Sequence, residues 1–218
     1  MVRKPLVMVA IVAALLVAGC GDDDDGGDAP APGTLKALIP PAEDLGPLEV
    51  ERTFTWDNAT DFVVQGLFIP EGTAPSAAIE SVEDAGFESG AGQLLTPRGG
   101  GAPSFVIVAA FDSEDGAAEA QEYLHDQDLE QPCFAACSVS PEEMSLSDVP
   151  GATAVHYVPL KGDLPPGIFP FEDYAAEFTI GENLFYAHAG GDPGDIAPKL
   201  FERGMTAFYE HASSAESE

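Results

Sequence analysis

The sequence predicts an α+β domain in which helices pack on one face of a largely antiparallel sheet. Short apolar or alternating runs, which are typical of strands, follow one another with turn residues between them. Segments with apolar residues at helical spacing separate some of these runs. The domain is expected to span residues 34–212, a suitable length for one core. A weak echo between 105–112 and 184–192, each followed by a helix, suggests two related halves.

Residues 51–56 alternate in polarity and predict the first strand, and the apolar run 61–69 is either a strand or a short buried segment. A helix should begin at Pro75-Ser76 and stop at Gly86. A short strand is expected around 93–95. Residues 104–111, which are apolar after Ser104, predict a strand buried on both faces.

Acidic residues in the first turn favour a helix over 114–126, because they complement the helix dipole. Strands are predicted at 153–158, 174–180 and 184–189, the last two as a hairpin. The final helix should run over about 194–211, and residues 213–218 should form a disordered tail.

This order of elements, with Val149-Pro150-Gly151-Ala152 before the hairpin and the final helix, is similar to that of uncharacterised secreted lipoproteins of actinobacterial type. The resemblance spans Ile79 to His211. It implies an α+β fold and a location outside the cytoplasm, and it assigns no catalytic residue.

The first residues are typical of an export signal. Arg3 and Lys4 precede an uncharged, mostly aliphatic run from Leu6 to Ala18. As a helix this run would span roughly 20 Å, which is too short for a bilayer core of about 30 Å but suits a signal peptide. We therefore predict a signal peptide over residues 1–19.

The run ends Leu16-Val17-Ala18-Gly19-Cys20, which resembles a bacterial lipobox. The resemblance implies that a diacylglycerol is attached to the Cys20 sulfur and that the chain is cleaved just before it. Two or three acyl chains such as palmitate would then hold the protein on the outer face of the cell membrane. An uncleaved anchor helix with an incidental cysteine is the alternative.

Residues 20–33 form an acidic tether of Gly, Asp and Pro with no apolar content to bury. Its four consecutive Asp residues lack the spacing of a calcium loop. After acylation of Cys20, the cysteines Cys133 and Cys137 remain. Outside the cytoplasm such a pair predicts a structural disulfide.

The chain carries 38 acidic and eight basic residues, a net charge of −30. Such a charge repels polyanions and argues against nucleic-acid binding. Salt adaptation or solubility explains the acidity most simply, and a calcium-binding surface is the alternative.

No nucleophile elbow, P-loop or zinc-protease motif occurs in the sequence, and no cofactor is expected. His156 and His188, on proposed strands, could meet across the sheet with Glu177 and form a metal site. Solvent-facing histidines are the alternative. Phe169, Phe171 and Tyr174 follow a Pro-rich loop and could form a contact patch for a ligand, or could fold beneath the sheet.

The first hypothesis is therefore a non-enzymatic, membrane-anchored module that binds an envelope protein, an envelope polymer or a small apolar ligand. A concave apolar face would support it. The second is a metal-binding envelope protein, for calcium or a transition metal. The third is an envelope hydrolase, which needs a buried polar constellation that sequence does not reveal.

Overall fold

The computed structural model describes residues 32–67, 75–98, 102–130, 139–159, 172–191 and 198–215. The predicted signal peptide and most of the tether lie outside these residues. Cys20, Cys133, Cys137, Phe169 and Phe171 also lie outside them. The anchor, the disulfide and the contribution of the two phenylalanines therefore stay predictions.

Seven strands form one sheet, and every neighbouring pair is antiparallel. They are β1 (Leu48–Trp56), β2 (Phe87–Pro97), β3 (Ser104–Phe111), β4 (Val139–Glu143), β5 (Thr153–Pro159), β6 (Glu172–Ile180) and β7 (Asn183–Gly191). Their order across the sheet is β1-β2-β3-β7-β6-β5-β4. The predicted α+β class is confirmed.

Six helices belong to the described part of the chain. They are α1 (Pro32–Ala37), α2 (Ala42–Leu45), α3 (Ala59–Gln65), α4 (Pro75–Asp84), α5 (Glu114–Glu130) and α6 (Pro198–Ala215). Helices α1, α2 and α6 cover one side of the sheet, called here the α6 face. Helices α3, α4 and α5 cover the other side, called the α5 face.

The helices therefore cover both faces of the sheet, and the expectation of a single covered face is corrected. The central strands explain the difference. All of β3 except Phe105 is buried, and a run of buried residues spans β6 from Asp173 to Phe178. A strand without an exposed face needs cover on both sides of the sheet.

Residues 61–65 of the run 61–69 belong to helix α3, the shortest helix on the α5 face. Asn58 caps α3, since its side-chain oxygen accepts a hydrogen bond from the Asp61 amide at 2.8 Å. Phe62 and Val63 point into the core while Val64 is 55% exposed. This amphipathic pattern is too short to separate a helix from a strand by periodicity.

Helix α4 lies where its pattern predicts it. Gly86 follows it with a φ of 79°, the left-handed conformation that ends many helices and favours glycine. The chain then enters β2, which is longer than the predicted short strand.

The final helix continues to Ala215, so that residues 213–215 are helical and not part of a disordered tail. Ala212 is buried and Ala215 packs against the core of the α6 face. The Ser214 hydroxyl donates a hydrogen bond to the Glu210 carbonyl at 2.8 Å. Packing thus extends the helix beyond the point that composition suggests.

The two echoing strand-helix units lie side by side, because β3 and β7 are antiparallel neighbours at the centre of the sheet. Their helices, however, pack on opposite faces. The two halves are therefore not placed as equivalent units around the sheet. No helix in the described ranges is both long enough and apolar enough to cross a bilayer.

Candidate functional site

Glu177 lies in the middle of the sheet and is completely buried, which is unusual for a carboxyl group. Its place in β6 directs the side chain to the α5 face. Its Oε1 atom accepts a hydrogen bond from the Thr153 hydroxyl at 2.7 Å and lies 2.9 Å from His125 Nδ1. Its Oε2 atom has no hydrogen-bond partner in the described part of the chain.

Helix α5 packs over Glu177 and covers this site. Gln121, His125 and Asp128 lie on the side of the helix that meets the sheet, at helical spacing. The Gln121 amide donates hydrogen bonds to the Gly151 carbonyl at 2.9 Å and to the Glu177 carbonyl at 3.3 Å. The last turns of α5 are thus attached to β5 and β6 by polar contacts.

Several other titratable groups surround Glu177 on the α5 face. We call the whole set the Glu177 cluster: His125, Asp128, Tyr157, Asp173, Glu177, Tyr186 and His188. Burial raises the pKa of Glu177 well above its usual range, and the nearby Asp128 carboxyl adds to the effect. Burial also raises the pKa of Tyr186.

Burial raises the pKa of Asp128 to about 7, against a smaller opposing effect of the hydrogen bond from Tyr157. Burial alone raises the pKa of Asp173 to about 7. Burial lowers the pKa of His188, whose Nε2 lies 3.7 Å from Asp173 Oδ2, to about 4. The surroundings therefore favour the neutral form of each of these groups.

A second polar group lies on the α6 face, at the start of β6. The Glu172 carboxylate accepts a hydrogen bond from the Tyr174 hydroxyl at 2.9 Å, and its Oε1 lies 2.7 Å from His156 Nε2. The imidazole stacks on the Tyr174 ring with 4.4 Å between the ring centres. These contacts hold His156 in a structural role.

The structure does not bring together His156, His188 and Glu177, which corrects the predicted metal site. In the strand register His156 is opposite Tyr174, and Tyr174 is opposite Ala189. His188 is one residue away from that row, so its side chain points to the other face. No group of three or more His, Cys, Asp and Glu side chains with a metal-binding arrangement occurs among the residues described.

Tyr174 was predicted to contribute to an exposed contact patch, and the structure corrects this. Its side chain is fully buried beneath α6, where it stacks on Phe201 at 5.3 Å. The alternative of aromatics folded beneath the sheet describes Tyr174 correctly.

A concave apolar surface does exist, but elsewhere on the α6 face. Helices α2 and α6 and the segment that enters β1 enclose a pocket above β2, β3 and β7. The volume open to the centre of a water-sized sphere is about 130 Å³. Representative lining residues are Leu45, Leu48, Leu95, Ala189, Leu200 and Met205.

The close approach of α2 and α6 shapes this pocket. A Cβ atom at Gly204 would lie 3.0 Å from the Leu45 carbonyl oxygen, which is closer than most real contacts of that kind. Glycine at position 204 therefore lets the two helices meet and form one wall of the pocket.

Sequence reasoning missed Asp128, Tyr157, Asp173 and Tyr186, as well as the pocket. A signal for part of the cluster was present, because His125 and Asp128 share one side of a helix and Asp173 and Glu177 share one side of a strand. The pocket gave no signal of its own, since its Leu200 and Met205 have the same spacing as ordinary core residues.

The architecture defines a class of α+β domain with one antiparallel sheet covered by helices on both faces. A solved structure of similar fold is the extracellular domain of PknH from Mycobacterium tuberculosis, with a TM-score of 0.54 and 13% identity. The match covers 88% of this chain and 100% of that domain. At this identity the likeness concerns the fold alone. No protein-family model matches the sequence, and no curated protein matches it.

Proposed function

We propose that this chain is an exported, lipid-anchored and non-enzymatic binding module, which captures an apolar group of a partner in the pocket between α2, α6 and the sheet. The apolar pocket is the observation that carries the binding function. The lipobox-like segment that ends at Cys20 supports the anchor. The likeness of the fold to an extracellular domain supports the location.

The size of the pocket limits what can bind. An apolar cavity of about 150 Å³ is known to hold benzene. The pocket, at about 130 Å³, therefore suits an aromatic or branched aliphatic group of similar size. Burial of such a group contributes about 1.5–3 kcal/mol, which alone gives only weak binding.

A partner larger than the pocket must therefore supply the remaining contacts. The net charge of −30 disfavours an acidic partner and favours a neutral or basic one. We propose an envelope protein that inserts one apolar side chain into the pocket.

A non-enzymatic role is consistent with the placement of the Glu177 cluster. A catalytic group must contact its substrate, and Glu177 is enclosed by α5 and the sheet. The hydrolase hypothesis requires a group of buried polar side chains that a substrate can contact. The Glu177 cluster is a buried polar group, but a substrate cannot reach it beneath α5.

Benzene is a direct probe of the pocket. Saturation-transfer NMR should detect benzene bound to the full chain, and Ala189→Leu should abolish the signal because the larger side chain fills the pocket from β7. Ala207→Leu on α6 is the matched control, since Ala207 is also half-buried but does not line the pocket. Equal binding by both variants, or none by the wild type, would exclude the pocket as the binding site.

The anchor has a separate test. The mass of the native protein should match residues 20–218 plus acyl chains, and it should increase by about two hydrogens on reduction if Cys133 and Cys137 are bonded. Cys20→Ala should release the protein from membranes, whereas Cys133→Ala should leave it attached. Membrane attachment of uncleaved Cys20→Ala would contradict the lipobox interpretation.

A further inference from the structure

The Glu177 cluster contains more acidic groups than its surroundings can neutralise. On the described elements that meet there, α5 supplies His125 and Asp128, and β5 supplies Tyr157. Strand β6 supplies Asp173 and Glu177, and β7 supplies Tyr186 and His188. Of these groups, only the two histidines can carry a positive charge.

Full ionisation of the three carboxyls would place three negative charges beneath α5. His125, beside Glu177 Oε1, can balance one of them. Even with a second positive charge on His188, which lies 3.7 Å from Asp173 Oδ2, one negative charge would stay without a counterion. Uncompensated buried charge is expensive, so the docked form of α5 must retain protons on the carboxyls.

The unpartnered oxygen atoms show where protons are needed. Glu177 Oε2 and Asp128 Oδ2 are both excluded from solvent and have no hydrogen-bond partner in the described ranges. The nearby Thr153 hydroxyl donates to Glu177 Oε1, and the Gln121 amide donates to the Glu177 carbonyl, so neither supplies a donor to these two atoms. A proton on either carboxyl removes a charge and supplies a hydrogen-bond donor at a place that lacks one.

We propose that the Glu177 cluster is a proton-dependent latch, which holds residues 121–130 of α5 on the sheet while Asp128 is protonated and releases them when it ionises. Asp128 is the group that moves with the helix, whereas Glu177 and Asp173 stay with the strand. Release would widen the surface depression that His125 and Thr153 line beside the segment 143–154. The latch lies on the opposite face from the apolar pocket and does not rest on the proposed binding function.

The direction of the effect follows from linkage. Asp128 is harder to ionise in the docked form of α5 than in the released form, so it favours docking most strongly at low pH. This preference declines as the pH rises and levels off above the pKa of Asp128 in the docked form, which is about 7. With an ordinary pKa of about 3.9 after release, the released population should increase about tenfold between pH 6 and pH 8.5.

Hydrogen exchange of the full chain, corrected for the intrinsic effect of pH, measures this population. Protection of residues 121–130 should fall about tenfold from pH 6 to pH 8.5. Asp128→Asn should lose the pH response of the helix. Asp126→Asn, which removes an exposed carboxylate from the same helix, should keep it.

Constant protection of residues 121–130 in the wild type would overturn the latch. Identical behaviour of Asp126→Asn and Asp128→Asn would overturn it as well. If Asp128→Asn fails to fold, Glu177→Gln replaces it, because the amide keeps an acceptor for Thr153 and removes one ionisable group. Because Asp128 can still titrate in Glu177→Gln, this variant should keep the pH response of the helix, and loss of the response would overturn the assignment to Asp128.

Discussion

The two faces of the sheet are equally buried but differ in chemistry. On the α6 face, Phe178 and Phe185 stack at 4.7 Å, and Phe208 meets both with its edge. One residue away along β6, Glu177 places a carboxyl group on the α5 face. The aromatic packing of the α6 face therefore contributes stability that does not depend on pH, whereas the contribution of the Glu177 cluster on the α5 face depends on protonation.

The largest effect should come from the aromatic packing of the α6 face. Phe208→Ala should lower the free energy of unfolding by about 3–5 kcal/mol, because it removes a fully buried ring and leaves a cavity. Urea denaturation at two pH values checks this, with exposed Glu210→Ala as the control. A loss that differs strongly between pH 5 and pH 8 would contradict the distinction between the faces.

Asp173→Asn should isolate one pH-dependent contribution of the α5 face. The pKa of Asp173 is raised to about 7 in the folded protein, so its contribution to stability is greatest below about pH 4 and is lost as the pH rises to 7. The difference in unfolding free energy between wild type and variant should shift by up to about 4 kcal/mol over that range.

His188 acts in the opposite direction and provides the internal check. Its lowered pKa of about 4 means that stability increases as the pH rises from 4 to about 6.5. In Asp173→Asn the pH effect of His188 is no longer opposed by that of Asp173. Compared with the wild type, the variant should therefore lose more stability as the pH falls from 7 to 4. A constant difference between the two proteins over pH 4–7 would show that Asp173 ionises normally.

The smallest of the three effects should come from the cap of α3. Asn58→Ala should cost about 1 kcal/mol, because it removes the acceptor for the Asp61 amide. The loss should be the same at pH 5 and pH 8, although α3 lies on the α5 face. Asn58→Ser keeps a side-chain acceptor without adding a negative charge beside Asp57 and Asp61, and should restore most of the stability, as thermal denaturation can measure.

Local sequence pattern predicted the elements that have enough residues to reveal their periodicity. Strand β3 and helices α4 and α6 lie close to their expected positions. Helix α3 was not predicted, and the expectation of a strand or a short buried segment at 61–69 is wrong for its first part, because two turns contain too few apolar positions to reveal a helical period. Helices α1 and α2 and strand β4 were missed, since their short segments have no clear period.

The candidate sites depend on pairing between distant parts of the chain. Glu177 meets His125 across 52 residues, and this contact requires both the register of β6 and the placement of α5. His156 and Glu177 were expected on one face, but the register separates them. The sequence alone does not define the register between strands, so it does not show which strand residues lie opposite one another.

The position of β3 beside β7 has a consequence for the order in which the chain assembles. During synthesis, β1, β2 and β3 can pair with one another before β7 has been made. Until then the free edge of β3, with Phe105, Ile107 and Ala109, is open to pairing with another molecule. The strong negative charge of the chain should keep nascent copies apart during this interval, and so protect them from aggregation.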